Sequence, residues 1–336
     1  MMKRVFVVVA LVAFAASFAF AEGQQEFPTR DITDVVVWSA GGGTDTTNRV
    51  VVGEMQQFLG VNVNVINKPG GVAGSLGMRY GYEQPHDGYT LTGLSESCVT
   101  AGVQGGWDKR MTVWDYFIVG GSPDVISVTP DSPYESLEDL IEAAKENPES
   151  IKAGASGAGS IHHLNLLALE DGTGAQFNFI PYPGSAPSQN AAMSGEITLV
   201  VTSLQEQQQL IRGGKLRPLA MLIEDEFEVK DYGTIPSAFD SYPQLSEYLP
   251  ISQSIGFAVP DDVPEARKEV LRDAFKKALE TDKVQNWAEQ NYFLITGETG
   301  EEAQERFNQL ESLFAWTLWD LGAAQVNPEE LGIPKP

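Results

Sequence analysis

One cysteine and three histidines in 336 residues leave little material for a disulfide framework or a metal centre. Basic residues are scarce too: 22 Lys and Arg stand against 46 Asp and Glu, a formal net charge of −24. A nucleic-acid binder needs a basic face to displace counterions, so that class is excluded. No G-x-x-x-x-G-K-[ST] phosphate loop and no G-x-S-x-G elbow occurs, and Gly41-Gly-Gly-Thr-Asp-Thr46 lacks the third glycine of a dinucleotide fingerprint. Beyond the first 21 residues no apolar run reaches membrane-spanning length. What is plentiful is apolar residue content, 42%, with 20% charged residues and 33 glycines. That is a globular chain long enough for two lobes with cores of their own.

The N-terminus reads as a targeting segment. Lys3 and Arg4 precede an almost wholly apolar run from Val5 to Phe20, and Ala19-Phe20-Ala21 has the small-x-small form of a cleavage site. Residues 1–21 are expected to be a signal peptide, a retained membrane anchor being the competing reading. No cysteine follows for lipid attachment, and Glu22–Thr29 is a loose lead-in. The mature protein is expected to be soluble and extracytoplasmic. Its acidic surface keeps copies apart and is of the kind strongly saline habitats favour, though an ordinary exported acidic protein has it as well.

Short β-branched runs alternate with amphipathic stretches, which predicts an α/β architecture. Strands are expected at Asp34–Trp38, Val61–Ile66, Tyr89–Leu94, Ile151–Ala155 and Phe177–Pro181. Helices are expected from Thr44 to Leu59, from about Gly74, after the Ser136-x-x-Asp139 capping box, and from Ile161 to Leu169. Three more follow late: Pro264–Leu279, a short one after Thr281, and Glu301–Leu321 opened by Thr299-x-x-Glu302. Phe275, Trp287 and Phe314 read as core. Strand, glycine loop and helix in succession is how a parallel sheet is wound.

Four glycine-rich loops follow the expected strands: Ser39-Ala-Gly-Gly-Gly-Thr-Asp45, Pro69-Gly-Gly-Val-Ala-Gly74, Ser156-Gly-Ala-Gly-Ser160 and Tyr182-Pro-Gly-Ser185. Glycine lets backbone approach a ligand, and the helix behind each loop aims N–H groups and its positive dipole end at the same place. Such a place binds an anion without Lys or Arg. A hydrogen bond to a charged group contributes about 1.5–3 kcal/mol, so four or five contacts reach roughly 8 kcal/mol, a micromolar affinity. Each loop alone is equally well a tight turn; four in equivalent positions are not. Ser160 with His162 or His163 would make a nucleophile and base, but Ser160 sits where a helix N-cap belongs. Of the two histidines on that first turn, one is expected to face a cleft and the other solvent. Asp45 caps the first helix or accepts from a ligand, and Cys98 reads as a small buried residue.

At these loops the chain resembles the substrate-binding proteins of the tripartite tricarboxylate transporters, the TctC or Bug family. The matching stretches are Ala40-Gly-Gly-Gly-Thr-Asp45 with Arg49, Asn67-Lys-Pro-Gly-Gly71, Asp87-Gly-Tyr-Thr90, Ser156-Gly-Ala-Gly-Ser160 with His163-Leu164, Pro181-Tyr-Pro-Gly-Ser-Ala-Pro187, Leu216-Arg-Pro-Leu-Ala220 and Gly256-Phe-Ala-Val-Pro260. The resemblance implies a type II periplasmic binding fold, two α/β lobes joined by two crossing strands. Lobe 1 would hold residues 30–125 and 256–336, and lobe 2 residues 126–255. It implies a receptor and not an enzyme: a monomer that takes a small organic carboxylate, uses no cofactor or metal, and delivers its ligand to the large and small membrane subunits of a transporter. Carried over residue by residue, the ligand would meet Ala40, Gly42, Gly43, Asp45, Gly71 and Ala73 from lobe 1. Lobe 2 would add Ser156, Gly159, Ser160, Tyr182, Gly184 and Ser185. Pro183 stands where the family usually has Lys, and His162 where it commonly has Pro. An exported α/β hydrolase using Ser160 and His163 is the alternative.

Overall fold

The computed structural model describes residues 27–247 and 253–336; the signal-peptide reading of residues 1–21 lies outside them. In chain order, β1 (Ile32–Val36) leads to α1 (Gly43–Leu59), β2 (Val63–Asn67) to α2 (Ser75–Tyr82), and β3 (Thr90–Ser95) to a 3-10 segment, Glu96–Thr100. Then β4 (Trp114–Gly121) passes almost directly into β5 (Asp124–Val128). Next come α3 (Leu137–Glu146), β6 (Lys152–Ala155), α4 (Ile161–Thr173), β7 (Asn178–Pro181), α5 (Ser185–Met193), β8 (Leu199–Ser203), α6 (Leu204–Arg212) and β9 (Arg217–Met221). A hairpin of β10 (Phe227–Val229) and β11 (Gly233–Ile235) precedes the single-turn α7 (Ala238–Ser241). The chain ends with β12 (Ile255–Pro260), α8 (Glu265–Leu279), α9 (Asp282–Gln290), β13 (Leu294–Thr299) and α10 (Gly300–Asp320).

Apart from the β10–β11 hairpin, which pairs on its own, the strands described form two mixed sheets. The first has the order β13-β4-β12-β3-β1-β2, and the second β7-β6-β8-β5-β9. In the first, β1 runs parallel to β2 and β3, while β12 lies antiparallel between β3 and β4. In the second, β6 runs parallel to β7 and β8, and β5 is antiparallel to β8 and β9. Two segments cross between the sheets: the Ser122-Pro123 step from β4 to β5, and the return into β12. Each sheet is covered on both faces, which is why central strands such as β5, β8 and β12 are buried at every position.

The packing has identifiable anchors. Phe117 on β4 and Phe257 on β12 stack across the ladder with ring centroids 4.7 Å apart, and Phe275 of α8 meets both edge-on. Phe314 is wholly buried in a second apolar cluster, whereas Trp287 is only half-buried against the first. Cys98 is buried, and burial pushes its thiol up to about 12. The Ser136–Asp139 capping box forms in both directions, and Thr281 caps α9. Thr299 precedes α10 but makes no side-chain cap bond, so that expected box is absent.

One core residue opposes this order. Asp34, in the middle of β1, is fully buried, and no hydrogen bond of good geometry reaches either carboxylate oxygen. Burial, then nearby Asp45, pushes its carboxyl up to about 7, against smaller opposing pulls from Arg49 and the Gly93 N–H. The folded chain therefore holds a proton there that the unfolded chain releases. The stabilisation is full below the ordinary carboxyl range and is lost as pH rises through 7. Asp34→Asn removes the ionisation, and its amide can donate to Asn48 Oδ1, which lies on the same face of the sheet and is buried without a partner. At pH 8 the variant is expected to gain up to about 4 kcal/mol over the parent, with no gain at pH 4, in urea unfolding at both pH values.

Candidate functional site

The carboxyl ends of the parallel strands face each other across the two lobes, where an open α/β sheet places its ligand crevice. From the first sheet come the loop Ser39–Gly43 after β1 and the segment Glu96–Thr100 after β3. From the second come Ser156–Ser160 after β6, Pro183–Ser185 after β7, and the start of α6 after β8. The lobes are shut on one another. Ser39 donates through N and Oγ to the Pro183 carbonyl, at 3.3 and 2.7 Å. Thr100 Oγ1 donates to the Gly159 carbonyl at 2.7 Å, Ile161 N–H to Ser97 Oγ at 3.0 Å, and Gln205 Nε2 to Thr46 Oγ1 at 2.9 Å. Ile161 and Leu164 of the second lobe join an apolar cluster made otherwise of first-lobe residues, so closure also buries apolar surface.

Between these contacts lies a narrow crevice whose free volume in this shut state is about 20 Å³, room for little more than one water-sized group, so a ligand enters as the lobes part. It is lined by Gly42, Gly43 and Thr44 at the start of α1, by Gly184 and Ser185 at the start of α5, and by Trp38, Ser95, Glu96, Ser97, Ser156, His162, Glu206 and Gln253. The N-caps of α1 and α5 are glycines without a side-chain cap bond. Gly184 has φ +144°, and a Cβ there would stand 3.1 Å from Ser39, so only glycine admits this approach of the two loops.

Charge enters the crevice from places the glycine pattern does not mark. Glu206 accepts the Gly43 N–H across the lobes at 2.6 Å through Oε1. Its Oε2 accepts from the N–H and Oγ of Ser203 at 3.0 and 2.9 Å, completing a capping box on α6. One carboxylate thus terminates two helices from different lobes. His162 Nε2 lies 3.6 Å from Glu206 Oε2, and its Nδ1 lies 2.7 Å from Asp124 Oδ2, which also accepts from Asn165. Burial alone would push the His162 imidazole down, but Asp124 beside it, then Glu206 and Glu96, carry it up to about 9. It is therefore an imidazolium at neutral pH. Glu96 accepts from the Ser97 hydroxyl and the Ser254 N–H, and burial nevertheless holds its carboxyl above the usual range.

Of the residues picked out in the sequence, Gly42, Gly43, Ser156, Gly184 and Ser185 line the crevice together. Ala40, Asp45, Gly71, Ala73, Gly159, Ser160 and Tyr182 do not line it. Asp45 faces inward, where it holds the Gly41 N–H, Arg49 and Asn67, and these bonds outweigh burial and keep its carboxyl below the usual range. Gly71 and Ala73 shape the turn into α2, both at positive φ. Tyr182 turns outward and donates to Glu196. Ser160 is a cap, its Oγ accepting the His163 N–H at 3.2 Å. His163 accepts the Gly159 N–H through Nδ1 and stacks on Phe179, with burial pushing it down to about 4. The Ser160 hydroxyl and the His163 ring therefore form no nucleophile–base pair. His162 faces the crevice as expected for one of the two; His163 is buried and not turned to solvent. Glu206 and Glu96 were not among the expected residues. The Ser203-x-x-Glu206 box straight after the Leu199–Ser203 run is the sequence signal that marks Glu206.

Two α/β lobes shut on a crevice rimmed by helix N-termini define a periplasmic-binding-protein architecture. The chain belongs to the tripartite tricarboxylate transporter receptor family, TctC: residues 47–306 match the family described as "Tripartite tricarboxylate transporter family receptor". A relative from Cupriavidus necator, "UPF0065 protein in gbd 5'region", is 30% identical over 277 residues, covering 81% of each chain. Protein BugT of Bordetella pertussis is 30% identical over 229 residues, 67% of this chain and 70% of BugT. Among solved structures, the periplasmic binding protein BugD superposes with a TM-score of 0.81 at 23% identity, over 89% of this chain and 99% of that one. MatC from Rhodopseudomonas palustris, solved with bound malate, superposes with a TM-score of 0.76 at 20% identity over 87% and 100%. Among the described residues no helix is long and apolar enough to cross a membrane, and no cluster of His, Cys, Asp and Glu is arranged to hold a metal ion.

Proposed function

We propose that this receptor captures a small organic carboxylate between its lobes and delivers it to the membrane subunits of a tripartite tricarboxylate-type transporter. The observation that carries the reading is the convergence of helix N-termini from both lobes on one crevice, with no Lys or Arg in its lining. Backbone amides at such termini are built to hold an anion. Because the Gly43 amide is engaged by Glu206, the carboxylate falls to Ser156 and to the start of α5 at Gly184–Ser185. Gly42, Gly43 and Thr44 close over it from the other side. MatC, of the same fold, holds malate.

In this reading residues 1–21 direct export and are removed, and the mature chain works as an extracytoplasmic monomer. Lobe 1 spans 30–122 with 255–336 and lobe 2 begins at 124, slightly earlier than the expected bounds, because β5 joins the second sheet from Asp124 and β12 the first from Ile255. The lobes hinge at their two crossings, and ligand favours the shut state because only there does it touch both sides. Thermal-shift and calorimetric titration with mono-, di- and tricarboxylates tests this. A ligand present at a hundred times its dissociation constant is expected to stabilise the fold by about 2.7 kcal/mol. Stabilisation by neutral sugars with none by any carboxylate would overturn the proposal.

A further inference from the structure

The lining of the crevice restricts which carboxylates it accepts. It carries two acids, Glu96 and Glu206, against one cation, His162, and that cation is already paired to Asp124 behind it. The positive ends of α1 and α6 both rest on Glu206, so two helix termini that could hold a ligand anion are neutralised from within. Gln253 gives a separate indication. It is more than nine-tenths buried, it lines the crevice, and its side-chain oxygen has no hydrogen-bond partner. A buried acceptor left unpaired is costly and calls for a donor, which a second carboxylate on the ligand cannot supply. Trp38, held by its Nε1–H donating to Ser95 Oγ at 3.3 Å, adds an aromatic ring, a surface that attracts cations.

We infer that the crevice selects a ligand carrying a protonated amine beside a single carboxylate. Glu96, Glu206 and the Gln253 oxygen accept from the amine, and Ser156 with the α5 terminus takes the carboxylate. A cationic group next to Glu96 also favours the ionised form that burial opposes. The inference rests on the carboxylate-receptor reading and narrows it: a diacid would set its second charge against Glu206 at close range, where screening is weak.

Calorimetry on the mature chain with matched pairs tests it: β-alanine against succinate, and γ-aminobutyrate against glutarate, at pH 7. The amino member of at least one pair is expected to bind ten-fold or more tightly than its diacid. Glu206→Gln keeps a residue that the α6 capping box accepts, and it should shrink that ratio at least ten-fold by weakening the amino acid and strengthening the diacid. Glu96→Gln should move the ratio in the same direction, and serves if Glu206→Gln loses its cooperative melt. Diacids binding as tightly as their amino partners in the parent, or an unchanged ratio in both variants, overturns the inference while leaving the carboxylate reading intact. No binding by either member of any pair, or by any other carboxylate, removes that reading and the inference with it.

Discussion

Replacing His162 with alanine is expected to lower the unfolding free energy by about 3–5 kcal/mol at pH 7, the usual cost of leaving a buried charge without its partner. Asp124 is almost wholly buried, its Oδ1 has no partner, and its Oδ2 would keep only the Asn165 amide. Glu206 would lose its nearby cation at the same time. The effect has a defined pH window. Because the folded imidazole titrates at about 9, above its unfolded value near 6.5, the stabilisation is complete below 6.5 and disappears as pH rises through 9. Urea unfolding of the parent and His162→Ala at pH 6 and pH 10 should show the gap close. Asp124→Asn in the same background should recover part of the loss, since it removes the orphaned charge. A gap that stays constant with pH would show that the loss comes from packing and not from the ion pair.

Gly256→Ala is the second large effect. Gly256 sits on β12 between two partner strands, and a Cβ added there would lie 1.9 Å from the Phe117 carbonyl oxygen, a backbone atom. β4 cannot retreat, because it is itself buried and its Phe117 is stacked on Phe257 of β12, and β3 on the other side is buried along nearly its whole length. Loss of more than about 3 kcal/mol is expected, enough to prevent accumulation of folded protein. Gly53 on α1 is the internal control. Its added Cβ would meet nothing within 4 Å, so Gly53→Ala should stabilise the helix by about 0.5–1 kcal/mol. Comparable destabilisation by both substitutions in denaturant unfolding would refute the steric argument.

Much of the fold was legible in the chain because its signals are local. The strand expected at 34–38 lies at 32–36 and the helix expected from 44 to 59 starts one residue earlier; these, the Ser136 box and the Thr281 cap depend on neighbours a few residues away. The strands from 114 to 128 carry no such signal. They are buried on both faces, so their sequence lacks the alternation that marks a half-exposed strand. The same limit divides the site. Gly42, Gly43, Ser156, Gly184 and Ser185 were readable because close backbone approach demands small residues. Gly71, Ala73 and Tyr182 belong to loops of the same kind, yet they face the turn into α2 or the outer surface.

The amino-acid sequence by itself determined the α/β class, the repeated strand–loop–helix unit and the glycine-bearing turns, since each follows from periodicity and backbone freedom within a short stretch. Tertiary structure alone decided the charge of the crevice. Glu206 reaches Gly43 over a separation of 163 residues, and Asp124 meets His162 over 38. A titrating group takes its charge from what surrounds it in space, and no local pattern records those neighbours.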